Sequence, residues 1–239
     1  MAGRPSTKRA SRGPASEATP SGKRRTRKPE LDRERIELAA LELVEKEGLA
    51  EFSMRKLGAA LGVQAMSLYH HFPSKAHLFD ALLDRLIGET TKVCAVARPW
   101  RERVRLFCIA YRDLARRHPE FSRYMILHRM NTRGGLAWLE AVVSMFGGPG
   151  VDVETAARAF RCVGYYLMGA VLDETAGDAR GPSAAEPVPA AEQSEIAPTV
   201  MRFGPYFQPE HWDGTFLVGL DLLLDGFERK LAVGSAVAG

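Results

Sequence analysis

FSMRKLGAALGVQAMSLYHHFPSKAHLF, residues 52–79, decides how this chain folds. Ser53 stands where a helix needs an N-cap, Met54, Leu57 and Leu61 share one face, and Gly62 ends the run with a turn that favours positive φ. After Val63 a second short helix is predicted over Ala65–His71, with Leu68 and Phe72 turned inward. This leaves Gln64, Met66, Ser67 and His70 facing out, flanked by Ala65 and Tyr69. Two short helices joined by a glycine turn are a helix-turn-helix, whose second helix presents its outward face to a major groove. Small polar and apolar side chains suit base edges and thymine methyls. Between Phe52 and Phe79 there is no Asp or Glu, whereas Arg55, Lys56, His70, His71, Lys75 and His77 all fall inside. Acids resume at Glu51 and Asp80. A surface that approaches phosphates excludes carboxylates, and Arg55 and Lys75 sit near helix N-termini, where free N–H groups also favour an anion.

Outward from this stretch the periodicity stays helical. Ile36, Ala39, Ala40, Leu43 and Val44 form one apolar face after Asp32, stopped by Gly48. Ser74 caps a longer helix with Leu78, Leu82 and Leu86 at four-residue intervals. Beyond Pro99, helices are predicted on Val104–Leu114, Phe121–Met130, Leu136–Phe146, Val153–Glu174 and Thr215–Leu231. No strand pattern competes, so the predicted fold is all-α. Three regions follow: a disordered basic arm (1–29), a helix-turn-helix DNA-binding domain (30–91) and a helical regulatory and dimerisation domain (92–233). The last carries a loop read as mobile over 176–200, because Gly181, Pro182, Pro187 and Pro189 interrupt any helix.

Composition sets the outer bounds. The net charge of +4 conceals +7 in residues 1–30, which leaves −3 for the other 209 residues. A basic arm on a mildly acidic body suits a polyanion; the same composition also describes a solubilising tail. No apolar run is long enough to span a membrane and no secretory signal opens the chain, so a cytoplasmic protein is expected. Cys94, Cys108 and Cys162 are scattered and form no paired motif, which points to reduced thiols packed in helices. No cofactor is implied. His70, His71 and His77 lack a converging carboxylate or cysteine and do not read as a metal site. Ser67 has no nearby base, and Gly147-Gly148-Pro149-Gly150 follows no strand, so neither nucleophilic catalysis nor a phosphate loop is expected. The reading is of a binding protein, not an enzyme.

Residues 52–63, then Ser67-Leu68-Tyr69-His70-His71-Phe72, Lys75 and Leu78, resemble the tetracycline-repressor (TetR) family of bacterial transcriptional regulators, over roughly Asp32–Ile87. The closing stretch Phe216–Phe227 resembles the last dimerisation helix of that family's tetracycline-repressor-like branch. The resemblance implies a homodimeric repressor on a palindromic double-stranded operator, released by an unknown small-molecule effector. Carried over by position, Gln64, Ala65, Met66 and Ser67 face bases, while Arg55, Tyr69, His70 and Lys75 meet phosphates; Lys56 joins them on charge alone. Tyr111, Phe121, His128, Trp138, Phe160, Tyr165, Tyr166, Met168 and Glu174 are candidates for an effector cavity, since phenol and imidazole groups inside a bundle need hydrogen bonds. Leu167, Leu220, Leu223, Leu224 and Phe227 are expected at the dimer interface, on two helices per chain. A constitutive or architectural DNA binder is the alternative reading.

The arm yields a first test. Deleting residues 1–29 is expected to lower operator affinity and flatten its salt dependence while leaving the preferred sequence unchanged. Titrations at several salt concentrations measure this; an unchanged salt slope identifies the arm as a solubilising tail.

Overall fold

The structure, a computed structural model, describes residues 31–95, 97–128, 130–147, 151–176 and 188–237, so the basic arm and most of the glycine- and proline-rich stretch lie outside the described residues. Among the described residues the chain is helical, with short 3-10 turns and no strand. Helix α1 (Arg33–Glu47) starts at Asp32, whose carboxylate accepts the Arg35 N–H, and stops at Gly48 with φ +85°. Helix α2 (Met54–Leu61) starts at Ser53, whose hydroxyl accepts the Lys56 N–H, and stops at Gly62 in the left-handed region. Helix α3 (Ala65–Tyr69) follows, then α4 (Lys75–Cys94), capped by Ser74. Each cap satisfies a backbone group that would otherwise be orphaned at a helix end. Ile36, Val44, Leu57, Leu68, Phe72, Leu78 and Leu82 close the core of this head and are wholly buried.

Helices α5 (Trp100–Arg117), α6 (Pro119–Leu127), α7 (Arg133–Val143) and α8 (Val153–Thr175) build the second layer, completed by α9 (Ala190–Ile196), α10 (Pro198–Phe203) and α11 (Trp212–Val237). Helix α4 packs on both α5 and α7 as well as on α1. Between head and bundle the joint is polar and aromatic. The Glu45 carboxylate accepts the backbone N–H groups of Glu120 and Phe121 at 3.0 and 3.1 Å, capping α6 from α1. Burial raises the carboxyl's pKa, against the lowering effect of those two bonds. Beside it Phe79 meets Phe121 and Tyr124 edge-on, with ring centroids 5.7 and 5.2 Å apart.

Three sequence expectations are corrected here. The loop reading fails over 188–200, where α9 and α10 form: Pro189 stands at an N-cap and Pro198 in a first turn, positions that need no N–H from proline. Glu174, a cavity candidate, instead forms a buried ion pair with Arg112. Its carboxylate accepts Nε and Nη2 at 2.8 and 2.9 Å, and the two side chains are 6% and 5% exposed. Arg112 also reaches Asp213 at 2.9 Å and lies over the Phe216 ring, so one guanidinium ties α5 to α8 and α11. The interface residues Leu167, Leu220 and Leu224 are buried in their own protomer, 2%, 0% and 0% exposed. Leu223 and Phe227 are half-buried at the border. Among the described residues of α11 and of α8 past its first turn, the exposed large apolar side chains are Tyr165 and Leu172 on α8 and Val218 and Leu222 on α11. Leu222-Leu223-Leu224 puts a leucine on three sides of one helix, so counting leucines cannot say which side the protomer's core takes.

Removing one partner of a buried, bidentate pair strands the other charge, at a cost of about 3–5 kcal/mol. Glu174→Ala leaves Arg112 only the exposed Asp213 and is expected to lower stability by about 3 kcal/mol, the lower end of that range, whereas Glu154→Ala, on the exposed start of α8, is expected to be nearly neutral. Urea denaturation of both variants checks this.

Candidate nucleic-acid interface and ligand cavity

The reading surface depends on how closely α2 approaches α3. A Cβ at Gly58 would lie 2.9 Å from the Val63 carbonyl oxygen and 3.1 Å from the Ala65 nitrogen, so only glycine fits this crossing. The Val63 N–H donates to the Gly58 carbonyl at 2.9 Å and fixes the turn. Leu68 then anchors α3 to the core, leaving Gln64, Met66, Tyr69 and His70 exposed and Ala65 and Ser67 half-buried between them. Arg33, on α1, donates to the His71 carbonyl and stacks on Phe72, steadying the chain just after α3. Sequence reasoning missed both Gly58 and Arg33. For Gly58 a signal existed, a glycine inside a helix four residues before the turn glycine; for Arg33 none did.

The cations divide into two kinds. Arg55 is exposed at the start of α2 and makes no ion pair among the described residues. Lys56, grouped with it on sequence, is held by Glu47 and Glu51 at 3.0 and 3.3 Å. The acid-free window that suggested it begins just past Glu51, but the fold brings both acids back to it. Lys75 donates to the Phe52 carbonyl at 3.1 Å and lies over the Phe52 and Phe79 rings. It pins the start of α4 to the entry of α2, and two of its three ammonium hydrogens remain for another acceptor.

In the second layer a cavity of about 590 Å³ opens among α5, α6, α7 and α8. His128, Trp138, Phe160, Tyr165 and Met168 line it together with Phe107, Tyr111 and Phe146. Tyr166 and Phe121 do not. The Tyr166 hydroxyl donates to the Phe216 carbonyl at 2.8 Å and its ring stacks on Phe216, which turns it toward α11. Phe121 sits in the joint with Phe79. At the cavity's rim Arg161 donates to the Tyr165 hydroxyl at 2.7 Å and covers its ring. Among the described residues no group of His, Cys, Asp and Glu is arranged to hold a metal.

Two cavity residues reach across to α4. The Trp138 indole N–H donates to the Thr90 hydroxyl at 2.8 Å, and that hydroxyl donates to the Ile87 carbonyl at 2.7 Å. His128 stacks on Tyr124, whose ring meets Phe79 edge-on, and places Nε2 3.4 Å from the Asp80 carboxylate. A third tie runs beside them, from the Thr132 hydroxyl to Asp84 at 2.7 Å. The cavity wall and the helix that carries the head are thus in direct contact.

A helix-turn-helix head whose last helix runs under a hollow helical bundle defines a sensor-type DNA-binding regulator. Residues 37–82 match the bacterial regulatory proteins of the tetR family, and residues 97–231 match the tetracyclin repressor-like C-terminal domain. The chain belongs to the TetR family of transcriptional regulators. It is 31% identical over 213 residues to the class A tetracycline repressor protein from transposon 1721 of Escherichia coli, covering 84% of this chain and 92% of that one. Among solved structures it resembles TetR from Acinetobacter baumannii AYE (27% identity, TM-score 0.64, 84% of this chain and 98% of that chain). A variant of that repressor solved in complex with minocycline is similar too (26% identity, TM-score 0.61, 84% of this chain and 98% of that chain).

These positions make separable demands on mutants. Arg55→Ala is expected to weaken binding to every DNA sequence and to reduce the salt slope by about one. Lys56→Ala is expected to leave the slope unchanged, because its charge is already paired. Gln64→Ala is expected to change preference at particular base pairs by about 1–3 kcal/mol. Binding to operator and randomised duplexes across a salt series distinguishes the three.

Proposed function

We propose that the protein is a homodimeric, cytoplasmic repressor that binds a palindromic operator and leaves it when a small, largely apolar effector fills the cavity. Gln64, Ala65, Met66 and Ser67 read bases; Arg55, Tyr69, His70 and Lys75 hold the backbone. Two protomers join through the outward faces of α8 and α11, with Tyr165, Leu172, Val218 and Leu222 at the contact, which buries apolar groups otherwise left in water. A two-fold dimer presents its recognition helices to successive major grooves, about 34–36 Å apart. Membership of the family and the likeness to a repressor solved with minocycline support the reading.

The observation that carries it is the double tie between cavity wall and α4, through Trp138–Thr90 and His128–Asp80. An effector that displaces either wall residue moves a helix whose other end holds α2 and α3. A shift of that helix alters the spacing of the two heads, and about 1–3 kcal/mol of coupling is enough for regulation.

Release of a fluorescent operator duplex by a panel of planar polycyclic compounds, minocycline first, tests the proposal. At least one is expected to release the wild-type protein. Trp138→Phe keeps the ring but loses the N–H, and is expected to bind the operator normally while needing at least fivefold more effector. If compounds occupied the cavity without changing operator affinity, a constitutive regulator would be the correct description.

A further inference from the structure

One polar group in the cavity is left without a use. Tyr111, on α5, is 2% exposed and lines the cavity, with its ring centroid 6.0 Å from that of Phe107 and 6.2 Å from that of Trp138. Among the described residues no group forms a hydrogen bond with its hydroxyl. Among the described residues the closed-off polar atoms without a partner are Arg103 Nε and His118 Nδ1; the Tyr111 hydroxyl keeps accessible surface and opens onto the cavity, where phenylalanine would serve a purely apolar wall as well. Tyr124, Tyr165 and Tyr166 all have hydroxyl partners within the protein, so Tyr111 differs from the other phenols near the cavity.

We infer that Tyr111 is the polar anchor of the effector, donating a hydrogen bond to a carbonyl-type oxygen carried on a planar aromatic frame. This rests on the effector-binding reading above and names the chemistry of the ligand. Burial pushes the phenol's pKa up, so the group stays neutral and keeps its proton to give. The other side chains on the wall favour the same partner: none is a carboxylate, while Arg161 and Asn131 add donors. The aromatic side chains of Phe107, Trp138, Phe146 and Phe160 suit flat rings, which stack on or meet them edge-on. A ligand with ring carbonyls therefore matches both the apolar wall and the Tyr111 donor; a bare hydrocarbon of the same shape displaces water from that donor and leaves it unpaired.

Fluorenone and fluorene differ only in a carbonyl against a methylene, and they form the test pair. Each is titrated into the full-length protein and followed by tryptophan fluorescence, since Trp138 lines the cavity. The wild-type protein is expected to bind fluorenone about five- to tenfold more tightly than fluorene, the worth of one neutral hydrogen bond. Tyr111→Phe is expected to erase that preference, bind fluorene as before, and melt no lower than wild type, because no protein hydrogen bond is lost. The inference is overturned if the wild type shows no preference, if Y111F keeps it, if neither compound binds, or if Y111F melts several degrees lower. The operator-release assay, run alongside, separates the two readings. A Tyr111-dependent preference without any change in DNA affinity defeats the effector role and leaves the anchor standing; release by both compounds equally, in both proteins, does the reverse.

Discussion

Leu78, Leu82, Leu83, Leu86 and Ile87 run down α4 and are all closed to solvent, although no single domain surrounds them. The first of these pack with the head and the last beneath the cavity bundle, so one continuous helix belongs to two cores. A rigid helix buried at both ends transmits displacement because neither core accommodates a shifted side chain cheaply; packed interiors tolerate little change in volume. The polar ties at Asp80, Asp84 and Thr90 are spread along this helix on the side of α6 and α7. Had α4 been exposed along its second half, the cavity could change shape without consequence for the DNA surface.

Energetic firmness is unevenly distributed. On the α11 side, the buried Arg112–Glu174 pair, with Phe216 under the guanidinium and the exposed Asp213 at its edge, holds three helices. Near α4 the links are mostly single hydrogen bonds and aromatic edges, each worth on the order of 1 kcal/mol. The bundle is thus stiff where two protomers are proposed to meet and compliant where the head is to be moved. At Gly134 the approach is close: a Cβ there would fall 2.7 Å from the Asp84 carboxylate, so α7 rides directly on α4.

The head was legible in the sequence because its signals are local. Asp32, Ser53 and Ser74 cap the helices they precede, and Gly48 and Gly62 take the positive φ their positions demand. Each is decided within four residues, where side-chain chemistry and backbone geometry meet without help from the rest of the chain. What failed was long-range. Lys56 looked free because Glu47 lies nine residues away in sequence, on another helix. Tyr165 and Tyr166 are neighbours on α8, yet about 100° of helical rotation sends one to the exposed rim of the cavity and the other to α11. Leu220 and Leu224 looked like surplus hydrophobicity because the partners that bury them, on α5 and α8, are not visible in a helical wheel. The cavity's aromatic residues could be gathered from the sequence, but not their pairing state, and pairing is what distinguishes Tyr111 from the rest.

The seam between head and bundle is narrow in chemical terms: Glu45 against the first turn of α6, and Phe79 against Phe121 and Tyr124. The bundle's half of that seam is contained in α6, while the head's half is Glu45 near the end of α1 and Phe79 near the start of α4. Recombination between regulators of this architecture can therefore exchange the DNA-reading half and keep the sensor, provided the carboxylate and the ring at those two places travel with the head. A graft that supplies alanine for Glu45 leaves two backbone N–H groups of α6 without their acceptor, and such a hybrid would fold with its two halves loosely geared. The compatibility of two parents for domain shuffling therefore turns on these few side chains together with the face of α4 that both halves bury.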